Sequence, residues 1–148
     1  MARRFRFRAR YRGVAWTAIG TGSALSALAV ITLGAALVPV ATGAFGILLG
    51  TFYLRSPTWR LAVVVDDAGL EVTGRFRLAW KNVVRVVASP TTHTCFVDGG
   101  APEKSLLVPG VGAPAPYSIE DREALYAEIV AHVDPAKVTE VESLETAR

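Results

Sequence analysis

The chain has 148 residues, 51% of them hydrophobic, and a formal net charge of +3. Six arginines precede Gly13, whereas from Arg55 onward ten Lys and Arg face thirteen Asp and Glu, so the basicity belongs to the N-terminal arm. A nucleic-acid-binding domain carries its own basic face, which the acidic C-terminal part lacks, so that partner class is excluded; the single Cys95 excludes an intramolecular disulfide and reads as a small buried hydrophobe.

In the arm, residues 1–12, the side chains of Phe5, Phe7, Ala9 and Tyr11 alternate with Arg4, Arg6, Arg8, Arg10 and Arg12. Period-two alternation is the pattern of a strand with one apolar face. Two readings stand at this point. The arm is either an edge strand of the C-terminal sheet or a basic segment held by anionic lipid headgroups.

From Gly13 to Leu54 no side chain is charged. A bilayer core about 30 Å thick takes roughly 20 helical residues, and one helix of this whole stretch would be about 63 Å long. Two spans with a tight turn fit instead, at Val14–Leu33 and Val38–Leu54, with Pro39 in the first turn of the second helix, where its missing N–H costs little. A secretory signal has an apolar core of only about 7–15 residues, far shorter than this. The arginines before the first span, with Arg55 and Arg60 after the second, put both flanks on the cytoplasmic side. Trp16, Tyr53 and Trp59, together with the arm arginines and Arg55, are the expected membrane-interface anchors. Gly46 and Gly50 form a G-x-x-x-G at the same depth as Gly20, Ala24 and Ala27, which predicts that these small residues pack the two spans together.

Residues 57–134 read as a β domain. Leu61–Val65 is a first strand, closed by the turn Asp66-Asp67-Ala68-Gly69. Leu70, Val72, Phe76, Leu78 and Trp80 then alternate with polar residues as one half-buried strand, with a bulge or bend at Gly74. Val83–Ala88, Thr92–Val97 and Ser105–Val108 are further strands, giving five or six after the membrane. An uncharged loop, Pro109 to Tyr117, follows. Ser118 is the expected N-cap of an amphipathic helix over 119–133, with Asp121 at its third position. Leu125, Ile129 and Val133 lie on its apolar stripe, and Asp134-Pro135 stops it. Residues 135–148 are expected to fray.

The run LAVVVDDAGLEVTGRFRLAWKNVVRVVAS with its closing helix, most tellingly Asp67-Ala68-Gly69-Leu70 and Leu78-Ala79-Trp80-Lys81-Asn82-Val83, resembles the bacterial pleckstrin-homology-like domains. In those proteins a two-helix hairpin commonly precedes the domain. The resemblance covers roughly residues 10–133. It implies a membrane α+β protein of the bacterial inner membrane: a hairpin, then a small bent sheet or open barrel of about seven strands, capped by one helix.

Nothing in the sequence forms a catalytic constellation, a metal-ligand spacing or a phosphate loop. His93 and His132 read as surface or boundary residues, and no enzyme activity and no cofactor are expected. Two binding readings remain. In the first, the domain is a membrane-held adaptor or assembly factor that grips a protein partner through its long loop, at Pro109, Val111, Pro114, Pro116 and Tyr117. In the alternative, Arg75 and Arg77 project from one strand face and meet an anionic lipid headgroup. The acidity of the domain favours the adaptor. Membrane lipids and a protein are thus the expected partners, nucleic acid is not, and the pattern does not fix an oligomeric state.

Overall fold

A computed structural model describes residues 2–34, 36–113 and 115–144. The chain is α+β and divides into two compact units, Ala9–Pro57 and the combination of Met1–Arg8 with Thr58–Arg148.

The first unit is a helical hairpin of α1 (Arg12–Leu33) and α2 (Leu37–Leu54). Gly34 ends α1 in the left-handed conformation, at φ 61°, which costs glycine little. Both helices are long and apolar enough to cross a membrane. Their outward side chains include Leu28, Ile31, Leu37, Phe45, Leu48 and Phe52, all exposed. The hydroxyls of Thr17, Ser23, Thr32 and Thr42 donate to the carbonyl four residues earlier, so these polar groups need no water.

The helices meet along small residues at seven-residue intervals: Ala15, Gly22 and Ala29 on α1, Gly43 and Gly50 on α2. A Cβ on Gly22 would stand 2.5 Å from the Gly43 carbonyl oxygen, and one on Gly50 would stand 2.7 Å from that of Ala15. Gly46 also faces α1, toward the Ala18 carbonyl. The expectation that Gly20, Ala24 and Ala27 supply the other side is corrected. All three are exposed, and a Cβ on Gly20 would touch nothing within 4 Å. Matching depth says nothing about rotational phase, and two residues turn an α-helix by about 200°, so Gly20 and Ala24 lie on the face opposite Gly22.

Among the described residues the second unit holds nine strands in two sheets and one α-helix. The strands of the first sheet are β1 (Arg3–Ala9), β2 (Ala62–Val65), β3 (Gly69–Val72), β4 (Phe76–Ala79) and β8 (Tyr117–Ile119), in the order β4-β3-β2-β1-β8. The second sheet contains β5 (Arg85–Ser89), β6 (Thr94–Asp98), β7 (Leu106–Val108) and β9 (Val138–Glu140), in the order β7-β6-β5-β9. The sheets do not close into one barrel. Helix α3 (Arg122–His132) packs on β2 and β6, and Leu125, Ile129 and Val133 enter a core shared with Val63, Val65, Leu70 and Val86.

The basic arm lies inside the first sheet, not at its edge. Arg3 to Arg6 of β1 pair with Val65 to Ala62 of β2, and on the other side the Glu120 N–H donates to the Arg6 carbonyl at 2.9 Å. The alternation then sorts the side chains. Phe5 and Phe7 are buried at 3% and 7% exposure, while Arg4, Arg6 and Arg8 stand on the solvent face. Arg8 bonds Glu120 at 2.5 Å, and Arg3 reaches Glu128 of α3 at 2.8 Å.

Local turn chemistry explains the next hairpin. Asp66 Oδ1 accepts from the N–H groups of Ala68 and Gly69 at 2.9 and 2.8 Å, which holds its carboxyl below the usual range. Gly69 is required, because a Cβ there would collide with the Leu78 carbonyl on β4. What reads as one strand from Leu70 to Trp80 is two, since Thr73–Arg75 reverse the chain around Gly74 at φ 76°.

Two further expectations at the C-terminal end are corrected. Ser118 lies in β8, and α3 begins only at Arg122, with Asp121 in the cap position at φ 50° and making no side-chain cap bond. Pairing with β1 holds residues 117–119 extended, and this long-range contact outweighs the local capping signal. The tail up to Leu144 is also structured: β9 runs parallel to β5, and the Val141 N–H donates to the Ala88 carbonyl at 2.8 Å.

His132 ties α3 to the first sheet. Its Nδ1 donates to the Glu128 carbonyl at 2.8 Å, its Nε2 lies 3.4 Å from Asp67 Oδ1, and its ring stacks on Trp80 at 5.1 Å. The Glu128 carbonyl first, and then Asp67, raise its pKa above 6.5. A raised folded pKa contributes stability that is complete below about pH 6.5 and is lost as pH rises through the folded value. The β unit should therefore unfold at a higher temperature near pH 5.5 than near pH 8.5. His132→Gln should shrink that difference, and a difference unaltered by the substitution would place the titrating group elsewhere.

Candidate functional site

The loop after β7 forms one wall of a half-open cavity of about 970 Å³. Its other walls are the β5–β6 turn, the first turn of α3 and the segment after β9, so both sheet connections and the helix start converge on it. Pro109 and Gly110 are buried in the floor, where Gly110 is needed because a Cβ would stand 2.8 Å from Thr94 Cγ2. Val111 stands at the rim, 85% exposed. Leu107 and Leu144 add apolar surface.

The polar wall is a chain of hydroxyls with a fixed sense. Ser89 Oγ donates to the Glu142 carbonyl at 2.7 Å, and Thr92 Oγ1 donates to Ser89 Oγ at 2.8 Å. Thr94 Oγ1, 2.7 Å from Thr92 Oγ1, must then be the donor of that pair. Beside them His93 sits at φ 52°, edge-on to Tyr126 at 5.7 Å, with Nδ1 3.9 Å from Glu123. Arg122, the first residue of α3, also lines the cavity. Its Nε is closed off from solvent without a hydrogen-bond partner, and its guanidinium forms no ion pair among the described residues.

Of the loop residues expected to meet a partner, Pro109 and Val111 line this cavity. Pro116 is exposed elsewhere. Tyr117 belongs to β8, where its hydroxyl donates to the Leu107 carbonyl at 2.7 Å and its ring packs against Phe7 at 5.0 Å. Burial raises its pKa. Pro114 lies outside the described residues. Arg75, in the turn before β4, and Arg77, on β4, are both exposed, and Arg77 is engaged by Asp66 Oδ2 at 3.4 Å. The interface anchors separate too. Arg4, Arg6 and Arg8 belong to β1, and Arg10 lies just after it. Arg12 opens α1, Trp16 is exposed on that helix, and the Tyr53 hydroxyl accepts from the Tyr11 N–H at 2.9 Å. Arg55 follows α2, and Trp59 lies in the short 3-10 turn Pro57–Arg60.

Cys95 is buried on β6, and desolvation pushes its thiol up to about 12, so it stays protonated. Among the described residues no group of three or more His, Cys, Asp and Glu could hold a metal ion. No protein-family model, no curated protein and no solved structure matches the chain.

Thr92 and Arg122 are not singled out by the sequence, and His93 reads there as a surface or boundary residue. A threonine run and a helix-start arginine look like ordinary surface. Only the long-range pairing of β6, β7 and β9 gathers them around one cavity.

Proposed function

We propose that the chain is a membrane-anchored, non-enzymatic scaffold with a pleckstrin-homology-like β domain, which holds a segment of another protein in the groove beside the loop after β7. The observation that carries this reading is the groove itself: an open, mixed polar and apolar cleft with a bulky apolar side chain, Val111, left exposed at its rim. Two sheets packed with one helix near the C-terminal end support the kinship to the pleckstrin-homology-like domains. For the membrane topology, support comes from the hydrogen bonding of β1 before the hairpin to β2 after it, which suits two flanks in one compartment and an even number of crossings. The arginine-rich flank favours the cytoplasm as that compartment. The lipid-headgroup alternative is less well supported, because Arg77 already has Asp66 as its partner.

The test is site-specific photo-cross-linking in the native host, with the photoreactive residue at Val111 or, as a control, at Arg77. The expected result is a single adduct of defined mass at Val111 and none at Arg77. Equal labelling at both positions, or none at Val111, would remove the groove as the binding surface.

A further inference from the structure

We infer that the partner segment carries an acidic side chain, and that Arg122 receives its carboxylate at the floor of the groove. This rests on the groove being the protein-binding surface. It adds what the groove selects.

The argument starts from what Arg122 lacks. A guanidinium offers five N–H donors in a planar fork, and buried donors in folded proteins nearly always find acceptors. Here Nε is shut away from water and unpaired, on a residue that lines the cavity. Among the described residues no nearby acid pairs with it: Glu120 bonds Arg8, Glu123 lines the same cavity but is mostly exposed and lies opposite His93, and Asp121 is exposed with no cap bond to hold it. The guanidinium lines the cavity with no ion pair among the described residues, and a carboxylate matches its fork in geometry and charge.

The rest of the cleft argues for a peptide as the bearer of that carboxylate. At about 970 Å³ the cavity lies at the upper end of small-molecule sites and is half-open, as suits a peptide segment entering it. Leu107, Pro109 and Val111 provide an apolar shelf for side chains flanking the acid. Strand addition to β7 is disfavoured, because the Tyr117 hydroxyl already donates to the Leu107 carbonyl. Selection then falls to side chains, and the half-buried Arg122, without an ion pair among the described residues, decides which.

The experiment pans a random heptapeptide library displayed on phage against the full chain in lipid nanodiscs. Enriched peptides should carry one Asp or Glu beside apolar residues and should compete for cross-linking at Val111. Changing that acid to Asn or Gln in a synthetic peptide should weaken binding by about tenfold or more, and Arg122→Gln should do the same, with little added loss when both changes are combined. Arg122→Lys, which keeps the charge but loses the fork, should fall between. Peptides that seat at Val111 without an acid and bind Arg122→Gln unchanged would overturn the carboxylate assignment while leaving the groove as a protein site. A library that yields no peptide competing at Val111 would overturn both.

Discussion

Replacing Gly43 with Leu should break the close approach of α1 and α2 and lower the thermal unfolding midpoint of the detergent-solubilised hairpin sharply. Even a Cβ at this position would stand 2.5 Å from the Gly22 carbonyl oxygen and would collide with Ser26 Oγ. Backbone cannot rotate out of the way as a side chain can, so the helices must separate along the seam from Ala15 to Ala29. Overpacking typically costs about 1–3 kcal/mol, and a contact between two main chains belongs at or above the top of that range. In lipid no hydrophobic drive pulls helices together, so close packing and interhelical polar contacts carry the association, and little compensates for their loss. Gly20→Leu is the control. It points away from α2 and should change the midpoint by no more than an ordinary surface substitution, about 0.5 kcal/mol. A loss at Gly20 equal to that at Gly43 would show that the rotational phase of α1 differs from the one described.

The second large effect is expected at the opposite end of the size scale, from truncating Phe5 and Phe7. Both rings are buried on the inner face of β1, which has a hydrogen-bonded neighbour on each side. Phe7 also meets the Tyr117 ring of β8, so its loss loosens the partner strand as well. Each Phe→Ala change should cost about 3–5 kcal/mol. A domain of this kind is stable by only about 5–15 kcal/mol, so the double variant should be largely unfolded. Amide exchange across Ala62–Val65 should accelerate in step, because β2 then becomes an edge. Arg4→Ala, on the solvent face of the same strand, should be nearly silent. Slow exchange at Ala62–Val65 in the double variant would mean that β1 rests on the sheet without holding it together.

Much of this arrangement could be read from the sequence because it follows from short-range pattern. The uncharged run from Gly13 to Leu54 is too long for one helix and about right for two, and α1 and α2 begin and end within two residues of that expectation. The Phe-Arg alternation marked a strand, and the turn at Asp66–Gly69 carried its own hydrogen-bonding chemistry. What was not legible depends on contacts distant in sequence. Leu70 to Trp80 keeps one alternation on both sides of Gly74, and nothing local says that the chain doubles back there. Ser118 has the look of a helix cap, yet β1, more than a hundred residues earlier, claims its neighbours for a sheet. Val138 and Val141 are spaced as on a helix, and their segment became a strand because β5 had a free edge. The groove suffers most from this. Its loop was recognisable by composition, but Arg122 matters only because of where three separate strand pairings leave it.

Because β1 precedes the hairpin and its partners follow it, the order of synthesis runs against the order of assembly. At about 5–20 residues per second, roughly 3–11 s pass between the making of Arg6 and of Ala62, its partner. Glu120, whose N–H meets the Arg6 carbonyl from the other side, comes roughly 6–23 s after Arg6. During that interval β1 presents Phe5 and Phe7 without β2 or β8 to receive them, a state in which β segments commonly stick to one another. Arg4, Arg6 and Arg8 interrupt the apolar residues at every second position and keep such a strand soluble by mutual repulsion. In the finished protein those guanidiniums look like decoration on a solvent face; for the nascent chain they are the means by which its first strand survives until the sheet exists.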